Sequence, residues 1–193
     1  YERTSTGIRP KSEDRSINVV SSSHLRPEID YYGQPCISKV EQLSKLEQLL
    51  PLVPKPCIVY TTMRNENDHI DVWSATELER QIKEMGYKRV SRYDGSISQS
   101  KTLQVERLQE WQDRKIDIMV ATSAFGVGID QSDVRAVIHM CVPESLDRFY
   151  QEVGRGGRDG CPSTSLILWT EDDKNVAERM AVEKILTSEK AWE

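Results

Sequence analysis

Short apolar runs alternate with amphipathic stretches along most of this 193-residue chain. Each run has the length of one strand, and each stretch repeats its apolar residues at helical spacing. Because neighbouring parallel strands are joined by a crossover that is usually a helix, this alternation predicts an α/β fold with a mainly parallel sheet flanked by helices. The predicted strands are 57–60, 87–93, 116–121, 134–140 and 165–169. The predicted helices are 40–50, 74–85, 98–113, 145–153 and 171–186.

Two of these helices carry more detailed expectations. Gly86 is a C-cap signal that should end the helix 74–85. Leu103, Leu108 and Trp111 should be buried by the helix 98–113. Parallel sheets bind ligands beyond the carboxyl ends of their strands. We therefore expect the chemistry in the helix after Met140 and in the loops that follow Tyr60, Tyr93, Ala121, Met140 and Trp169.

Composition restricts the kind of protein this can be. Residues 1–24 are polar and rich in serine, and we interpret them as a linker or as the trailing edge of an upstream domain. Residues 25–193 then form one globular domain. The net charge of −5 argues against nucleic-acid binding over the whole surface, but it permits a local phosphate site. No apolar run approaches the length of about 20 residues that crosses a membrane.

The four cysteines favour buried, reduced thiols in a cytoplasmic protein. They form no Cys-x-x-Cys pair, and no histidine lies at ligand spacing from any of them. A zinc site is therefore disfavoured, and we expect no metal bound by this chain itself. The cysteines are Cys36, Cys57, Cys141 and Cys161.

The strongest predicted strand leads into a loop that suits a phosphate. Thr122 supplies a hydroxyl and a backbone N–H, while Gly126 and Gly128 allow close approach of the backbone. The alternative is a tight turn in which Asp130 caps a helix. Two glycines without a third make a weak dinucleotide fingerprint, so both interpretations remain open.

A second loop, QEVGRGGRDG at 151–160, is more specific. The planar fork of an arginine matches phosphate oxygens in pairs, and Arg155 and Arg158 are three residues apart. The alternative is an arginine paired with Glu152 or Asp159 at the surface, which contributes only about 0–1 kcal/mol. Such a pairing does not explain the surrounding glycines Gly154, Gly156 and Gly157.

Both loops resemble motifs of superfamily-2 helicases, and the RecQ family most closely. Residues 151–160 resemble the sixth signature motif of that family, and residues 121–130 resemble the fifth. Arg26-Pro27-Glu28-Ile29 is similar to the Arg-Pro-Asn-Ile element that opens the second motor domain. Ile58-Val59-Tyr60 with Arg64 resembles the fourth motif, and the resemblance runs in order as far as Asp173.

The resemblance implies a RecA-like, P-loop-type fold and a set of residue roles. Arg158 would be the arginine finger on the γ-phosphate of ATP, and Arg155 would support the same phosphates or couple them to the DNA site. Gln151 would hydrogen-bond within the interdomain cleft, and Asp130 would contact the ribose or steady an arginine. Gly126 and Gly128 would line the nucleotide. The residues implied for DNA binding are Thr61, Thr62, Arg64, Gly95, Ser96 and Thr122.

The chain also departs from the family pattern. Tyr93-Asp94 precedes Gly95 where the family usually has a histidine, and the Asp94 charge would repel a DNA phosphate. Gly156 stands where alanine is typical, and the stretch 65–73 is longer than usual. These differences favour a divergent bacterial branch that serves DNA defence rather than repair.

The motifs that bind ATP and Mg²⁺ in such motors do not occur in the sequence. It contains no G-x-x-x-x-G-K-[ST] loop and no DEAD-like box. ATP and Mg²⁺ would therefore be bound mainly by a first motor domain upstream, and this chain alone is predicted to be inactive. The full protein would be an ATP-dependent 3′–5′ helicase acting on single-stranded and duplex DNA.

Two rival interpretations remain. A non-catalytic RecA-like module could bind nucleic acid or protein, but loss of motor function should have removed the two arginines, and both are present. A nucleotide-binding α/β enzyme of another type would need a complete phosphate fingerprint, which the sequence lacks.

Overall fold

The computed structural model describes residues 2–4, 7–9, 26–63, 71–126 and 131–184. Of the predicted site residues, Arg64, Gly128 and Asp130 lie outside these ranges. The strands are β1 (Glu2–Thr4), β2 (Gly7–Arg9), β3 (Ile29–Pro35), β4 (Cys57–Tyr60), β5 (Val90–Tyr93), β6 (Ile118–Ala121), β7 (Ala136–His139) and β8 (Ser163–Trp169). The helices are α1 (Lys39–Leu49), α2 (Ala75–Glu84), α3 (Gly95–Gln99), α4 (Lys101–Gln112), α5 (Leu146–Val153) and α6 (Glu171–Lys184).

Six strands form one sheet in the order β3-β8-β7-β4-β6-β5, and every neighbouring pair is parallel. Side chains alternate between the two faces of a strand, and the central strands β4, β6 and β7 are buried on both faces. Along β4, Val59 belongs to one core cluster with Leu78 and Ile138, whereas Ile58 belongs to another with Trp111. The predicted α/β class with a parallel sheet is confirmed. β1 and β2 form a separate antiparallel pair.

Local signals place most helix ends correctly. The Ser74 hydroxyl accepts the N–H of Glu77 at 3.1 Å, which caps the start of α2. Gly86 follows the C-cap of this helix with φ +97°, a backbone conformation that favours glycine. Ser145 caps α5 in the same way by accepting the N–H of Arg148.

Two predictions about the elements were wrong. The helix predicted over 98–113 is two helices, α3 and α4, which meet at the extended residue Ser100. Trp111 is fully buried as predicted and Leu108 is partly buried, but Leu103 is 44% exposed. Strand β3 was not predicted, because it pairs only with β8 among the described strands and most of its residues are exposed, so it lacks an apolar run.

The cysteines and helices add two findings. Cys36, Cys57 and Cys141 are buried free thiols, and burial raises the pKa of Cys57 to about 12. Cys161 is an exposed free thiol, so the prediction of burial was wrong for this residue. Within the described ranges, none of the helices is both long enough and apolar enough to traverse a bilayer.

Candidate phosphate-binding interface

The predicted site residues are divided between two opposite edges of the sheet. Helix α5 joins the parallel strands β7 and β8, so it runs back from their carboxyl ends to their amino ends. The loop after α5 is fixed at the amino edge, because Gly157 donates its N–H to the Val134 carbonyl at 2.9 Å and Asp159 donates to Ser132 at 3.1 Å. Both acceptors precede β7. The arginine loop therefore lies at the edge opposite the loops that follow the strands.

Arg155 connects this loop to the loop that follows β6. Its Nη2 donates to the carbonyl of Gly126 at 3.1 Å. A Cβ atom at Gly126 would lie 2.8 Å from the same nitrogen, so glycine permits the contact. The adjacent carbonyl, of Phe125, accepts the Tyr60 hydroxyl at 3.2 Å. Burial raises the pKa of Tyr60 and keeps this hydroxyl protonated as a donor.

Arg158 is exposed at the far side of the same loop. Its Nε donates to the Gly154 carbonyl at 3.2 Å, while Gly156 and Gly157 beneath it are buried. Gln151, one turn earlier on α5, is also exposed. Exposure is the condition that a group reaching toward another domain must satisfy, and Arg158 meets it.

The acidic neighbours of the loop are engaged by other cations. Glu152 is buried and accepts from Arg148 Nε at 2.8 Å, and its other oxygen lies 2.9 Å from His139 Nε2. Asp159 forms a bidentate ion pair with Arg135, in which Arg135 Nη1 lies 3.0 Å from Asp159 Oδ1. The Arg135 guanidinium holds the pKa of Asp159 well below its usual range. Surface pairing with these two acids is therefore not what the loop arginines are needed for.

A cleft of about 360 Å³ opens between α5 and the loop after β6. Basic, acidic and neutral polar residues all line it, which makes it a mixed polar surface rather than a purely cationic one. The lining residues include Ser123, Gly126, Asp147, Arg148, Gln151 and Arg155.

The loops at the carboxyl edge are tied to one another. Thr61 donates its N–H to the Ala121 carbonyl at 2.9 Å and its hydroxyl to Trp73, and it is fully buried. Thr122 is also buried and donates its N–H to the Tyr93 carbonyl at 3.2 Å. The Thr61 hydroxyl therefore positions the loop rather than facing outward. Thr62, Gly95 and Ser96 are half-buried at this edge.

The unusual Tyr93-Asp94 pair has a structural explanation. Asp94 is fully buried, and its Oδ1 accepts the N–H of Ser96 at 2.8 Å, which caps α3. Arg92 Nε lies 3.6 Å from Oδ2 of the same carboxylate. Tyr93 packs edge-on against Phe125 with ring centroids 5.1 Å apart. The Asp94 charge is therefore enclosed and compensated, rather than facing a DNA phosphate as expected.

Comparison with known proteins identifies the family. Residues 39–160 match the helicase conserved C-terminal domain. The chain belongs to this family. It is 31% identical, over 91% of its length, to a probable ATP-dependent DNA helicase RecS of Bacillus subtilis. It is 33% identical, over 92% of its length, to the RecQ-like DNA helicase blm-1 of Caenorhabditis elegans.

The chain spans 32% and 17% of these two relatives. The fold matches that of the yeast DEAD-box splicing factor Prp28 with a TM-score of 0.68 and 20% identity, over 86% of this chain and 34% of that one. This likeness concerns the fold alone. Together the matches confirm the predicted RecQ-like helicase C-terminal domain with a RecA-like fold.

Two features of the helicase domain were missed by sequence reasoning. Glu144, Arg148 and Glu152 follow one another at intervals of four and form one ion-pair network, in which Glu152 also lies within hydrogen-bond distance of buried His139. The spacing along α5 is a signal that could have found the first three. The other feature is Arg26, whose guanidinium contacts the arginine loop from more than a hundred residues away.

Gly156, where alanine was expected, packs against Ser163, which leaves no room for a side chain at position 156. A Cβ atom at Gly156 would overlap the Ser163 hydroxyl and lie 3.1 Å from its Cβ. We expect Gly156→Ala to lower the free energy of unfolding by about 1–3 kcal/mol, because it overpacks a buried contact. The Ser163 hydroxyl has no hydrogen-bond partner within the described ranges, so Ser163→Ala alone should change stability by less than about 0.5 kcal/mol.

Denaturant unfolding of the two single variants and the double variant measures this contact. Ser163→Ala should restore about half of the stability lost by Gly156→Ala, because the hydroxyl is removed while the Cβ contact remains. Equal losses in the single Gly156→Ala variant and the double variant would show that the two positions are not coupled.

Proposed function

We propose that this chain is the second motor domain of an ATP-dependent DNA helicase of RecQ type, which moves 3′ to 5′ along one strand. The observation that carries the proposal is the arginine loop. Arg158 is exposed on a turn whose glycines are buried, and Arg155 of the same turn is bonded to the loop after β6. The arginine loop thus offers the Arg158 guanidinium to a neighbouring domain. Through Arg155 it also contacts the loop after β6, which begins at the other edge of the sheet.

ATP and Mg²⁺ would be bound mainly by a first motor domain, with the arginine loop facing them. ATP supplies the phosphoryl group whose transfer to water drives the motor. The exposed Arg158 fits a role at the γ-phosphate because a guanidinium matches phosphate oxygens in pairs. Arg155 and Gln151 would support the same cleft, together with Gly126, Gly128 and Asp130. Within the described ranges, no group of three or more His, Cys, Asp or Glu residues is arranged to hold a metal ion.

Charge that develops on the γ-phosphate in the transition state would be stabilised by the Arg158 guanidinium. The contact between Arg158 and the γ-phosphate would form only while the two domains are closed on ATP. After hydrolysis this contact is lost, and the two domains separate. Arg155 would transmit the change, because its bond to Gly126 joins the arginine loop to the loop that starts at Thr122. Thr122 lies at the carboxyl edge, where the DNA candidates lie.

Single-stranded DNA would follow the carboxyl edge of the sheet. Thr62, Gly95 and Ser96 are half-buried there and would lie close to the phosphates. Ser96 donates both its N–H and its hydroxyl to Asp94 Oδ1, so it would act through the shape of its loop. Buried Thr61 and Thr122 would contribute through the shape of their loops, and Arg64 would add a positive charge. With so few donors and a net charge of −5, this domain alone should bind DNA weakly.

The test compares the full-length protein with this chain alone. The full-length protein should hydrolyse ATP when single-stranded DNA is added and should unwind a duplex with a 3′ tail, but not one with a 5′ tail. This chain alone should do neither. Unwinding from the 5′ tail would contradict the polarity, and full-length protein without DNA-stimulated hydrolysis would contradict the proposed function.

DNA binding by this chain alone separates the motor from a binding module. Affinity measured by fluorescence anisotropy should be weak and should fall as salt rises from about 50 to 200 mM, because phosphate contacts release counterions. Two neutralised phosphates give a slope of about −1.4 in a plot of log affinity against log salt. Tight binding that salt does not weaken would favour the non-catalytic module.

A further inference from the structure

Arg26 donates hydrogen bonds to three backbone carbonyls of the arginine loop. Its Nη1 donates to the carbonyls of Gly154 at 3.2 Å and Gly156 at 3.0 Å, and its Nη2 donates to Gly157 at 2.8 Å. We propose that Arg26 is a positioning residue that fixes the orientation of Arg158, an inference that rests on the proposed function.

The turn after α5 presents carbonyls that can accept additional donors, and one of them, that of Gly157, also accepts the N–H of Gly160 at 3.0 Å. Carbonyls at the end of a helix lack partners from a following turn. Gly157 then adopts a positive φ of +60°, which reverses the direction of the backbone. The three carbonyls between Gly154 and Gly157 converge on one side of the turn, where the Arg26 guanidinium lies.

Arg26 and Arg158 share an acceptor. The Gly154 carbonyl accepts Arg26 Nη1 at 3.2 Å and Arg158 Nε at 3.2 Å. A shift of this carbonyl therefore changes both contacts at once. Without Arg26 the turn would lose three hydrogen bonds, and the carbonyl that accepts Arg158 Nε would be held less firmly.

Arg26 is itself anchored to the sheet. Its carbonyl accepts the N–H of Ile29 at 3.2 Å, and its Nε lies 3.5 Å from Glu28 Oε2. The Glu28 carbonyl accepts the N–H of Ser163 at 2.8 Å, at the point where β3 begins to pair with β8. The backbone that carries Arg26 is therefore tied to the point where β3 and β8 begin to pair.

The geometry requires an arginine at this position. The two terminal nitrogens of the planar Arg26 guanidinium donate to three carbonyls, whereas a lysine has a single nitrogen at the end of a flexible side chain. Replacing Arg26 removes the ion-pair partner of Glu28, but the Glu28 side chain is 34% exposed, so water still reaches its carboxylate. Arg26→Lys and Arg26→Gln should therefore fold, with the hydrogen bonds reduced or lost.

Kinetics of the full-length protein test the proposal. We expect Arg26→Gln to lower the kcat of DNA-stimulated ATP hydrolysis by about 10-fold to 100-fold, since a displacement of about 1 Å in a catalytic group has effects of this size. Arg26→Lys should fall between Arg26→Gln and wild type. The KM for ATP should change less than about twofold, because the finger would act in the transition state.

Arg89→Gln is the matched control. Arg89 also donates to a backbone carbonyl, that of Lys115 at 3.2 Å, and pairs with Asp117 at 3.2 Å, but it lies beside β5 and β6. Arg89→Gln should lower the melting temperature less than Arg26→Gln, because it removes one backbone hydrogen bond rather than three, and it should leave kcat near that of wild type. Equal effects of the two variants on kcat would overturn the positioning role.

A double-variant cycle separates this inference from the proposed function. If Arg26 acts through Arg158, adding Arg26→Gln to Arg158→Ala should reduce the single-turnover rate by less than about twofold further. Additive losses would overturn the inference. If the Arg158→Ala variant turns over normally, the proposed function fails instead. If Arg158→Ala is impaired while Arg26→Gln is normal, only the positioning role fails.

Discussion

Replacing Arg158 with alanine in the full-length protein should lower the kcat of ATP hydrolysis by about 10³-fold or more, as loss of an arginine finger does in other phosphoryl-transfer enzymes. This factor corresponds to about 4 kcal/mol of activation free energy. The size of the effect follows from the charge that builds on the phosphoryl oxygens in the transition state. ATP binding should change only a few fold, because we place most ATP contacts in the first motor domain.

Steady-state hydrolysis with saturating single-stranded DNA measures kcat, and equilibrium binding of a fluorescent ATP analogue measures affinity. Arg158→Lys should recover only part of the rate, since it keeps the charge but loses the planar fork. Arg80→Ala is the matched control, because the Arg80 side chain is 54% exposed and pairs with Glu84 on α2. Turnover of Arg158→Ala within about threefold of the Arg80→Ala rate would reject the finger role.

Replacing Gly157 with alanine should lower the free energy of unfolding by about 2–4 kcal/mol. Two effects combine at this position. The φ of +60° is a backbone conformation that side chains adopt only with strain. A Cβ atom would also lie 2.6 Å from the Cys161 carbonyl oxygen, and a backbone atom cannot rotate away.

Gly160→Ala separates these two effects. Gly160 has a similar φ of +79°, but no heavy atom lies within 4 Å of the position its Cβ would take. Only the conformational cost remains, so we expect a loss of about 1 kcal/mol. Denaturant unfolding followed by circular dichroism compares the two variants. Equal losses would show that the close approach of the Cys161 carbonyl does not determine the need for glycine at Gly157.

The separation of the two edges has a consequence for how such a motor could work. Candidates for DNA contact lie after β4, β5 and β6, while the arginine loop lies at the opposite edge of the sheet. The loop after β6 starts at the first edge, and Gly126 within it is bonded to Arg155. The hydrogen bond between Arg155 and Gly126 therefore links the arginine loop to the edge with the DNA candidates. The Tyr60 hydroxyl donates to the adjacent Phe125 carbonyl and so holds this loop against the sheet.

Sequence by itself determined the features that are encoded in short windows. The runs around Ile58, Met119 and Val137 gave strands because their residues are apolar on both faces. Ser74 and Gly86 gave the ends of α2 because capping depends on residues within one turn. The glycines beside Arg155 and Arg158 marked the loop for the same reason.

Only the tertiary structure decided what depends on residues far apart in the chain. Strand β3 exists because β8 pairs with it, and its own residues carry no strand pattern. Leu103 is exposed and the Thr61 hydroxyl is enclosed because of what packs, or does not pack, against them. The arginine loop lies at the amino edge because α5 crosses the sheet, and Arg26 reaches it because β3 and β8 are neighbours. Local propensity fixes the elements, whereas contacts between distant segments fix which side chains meet.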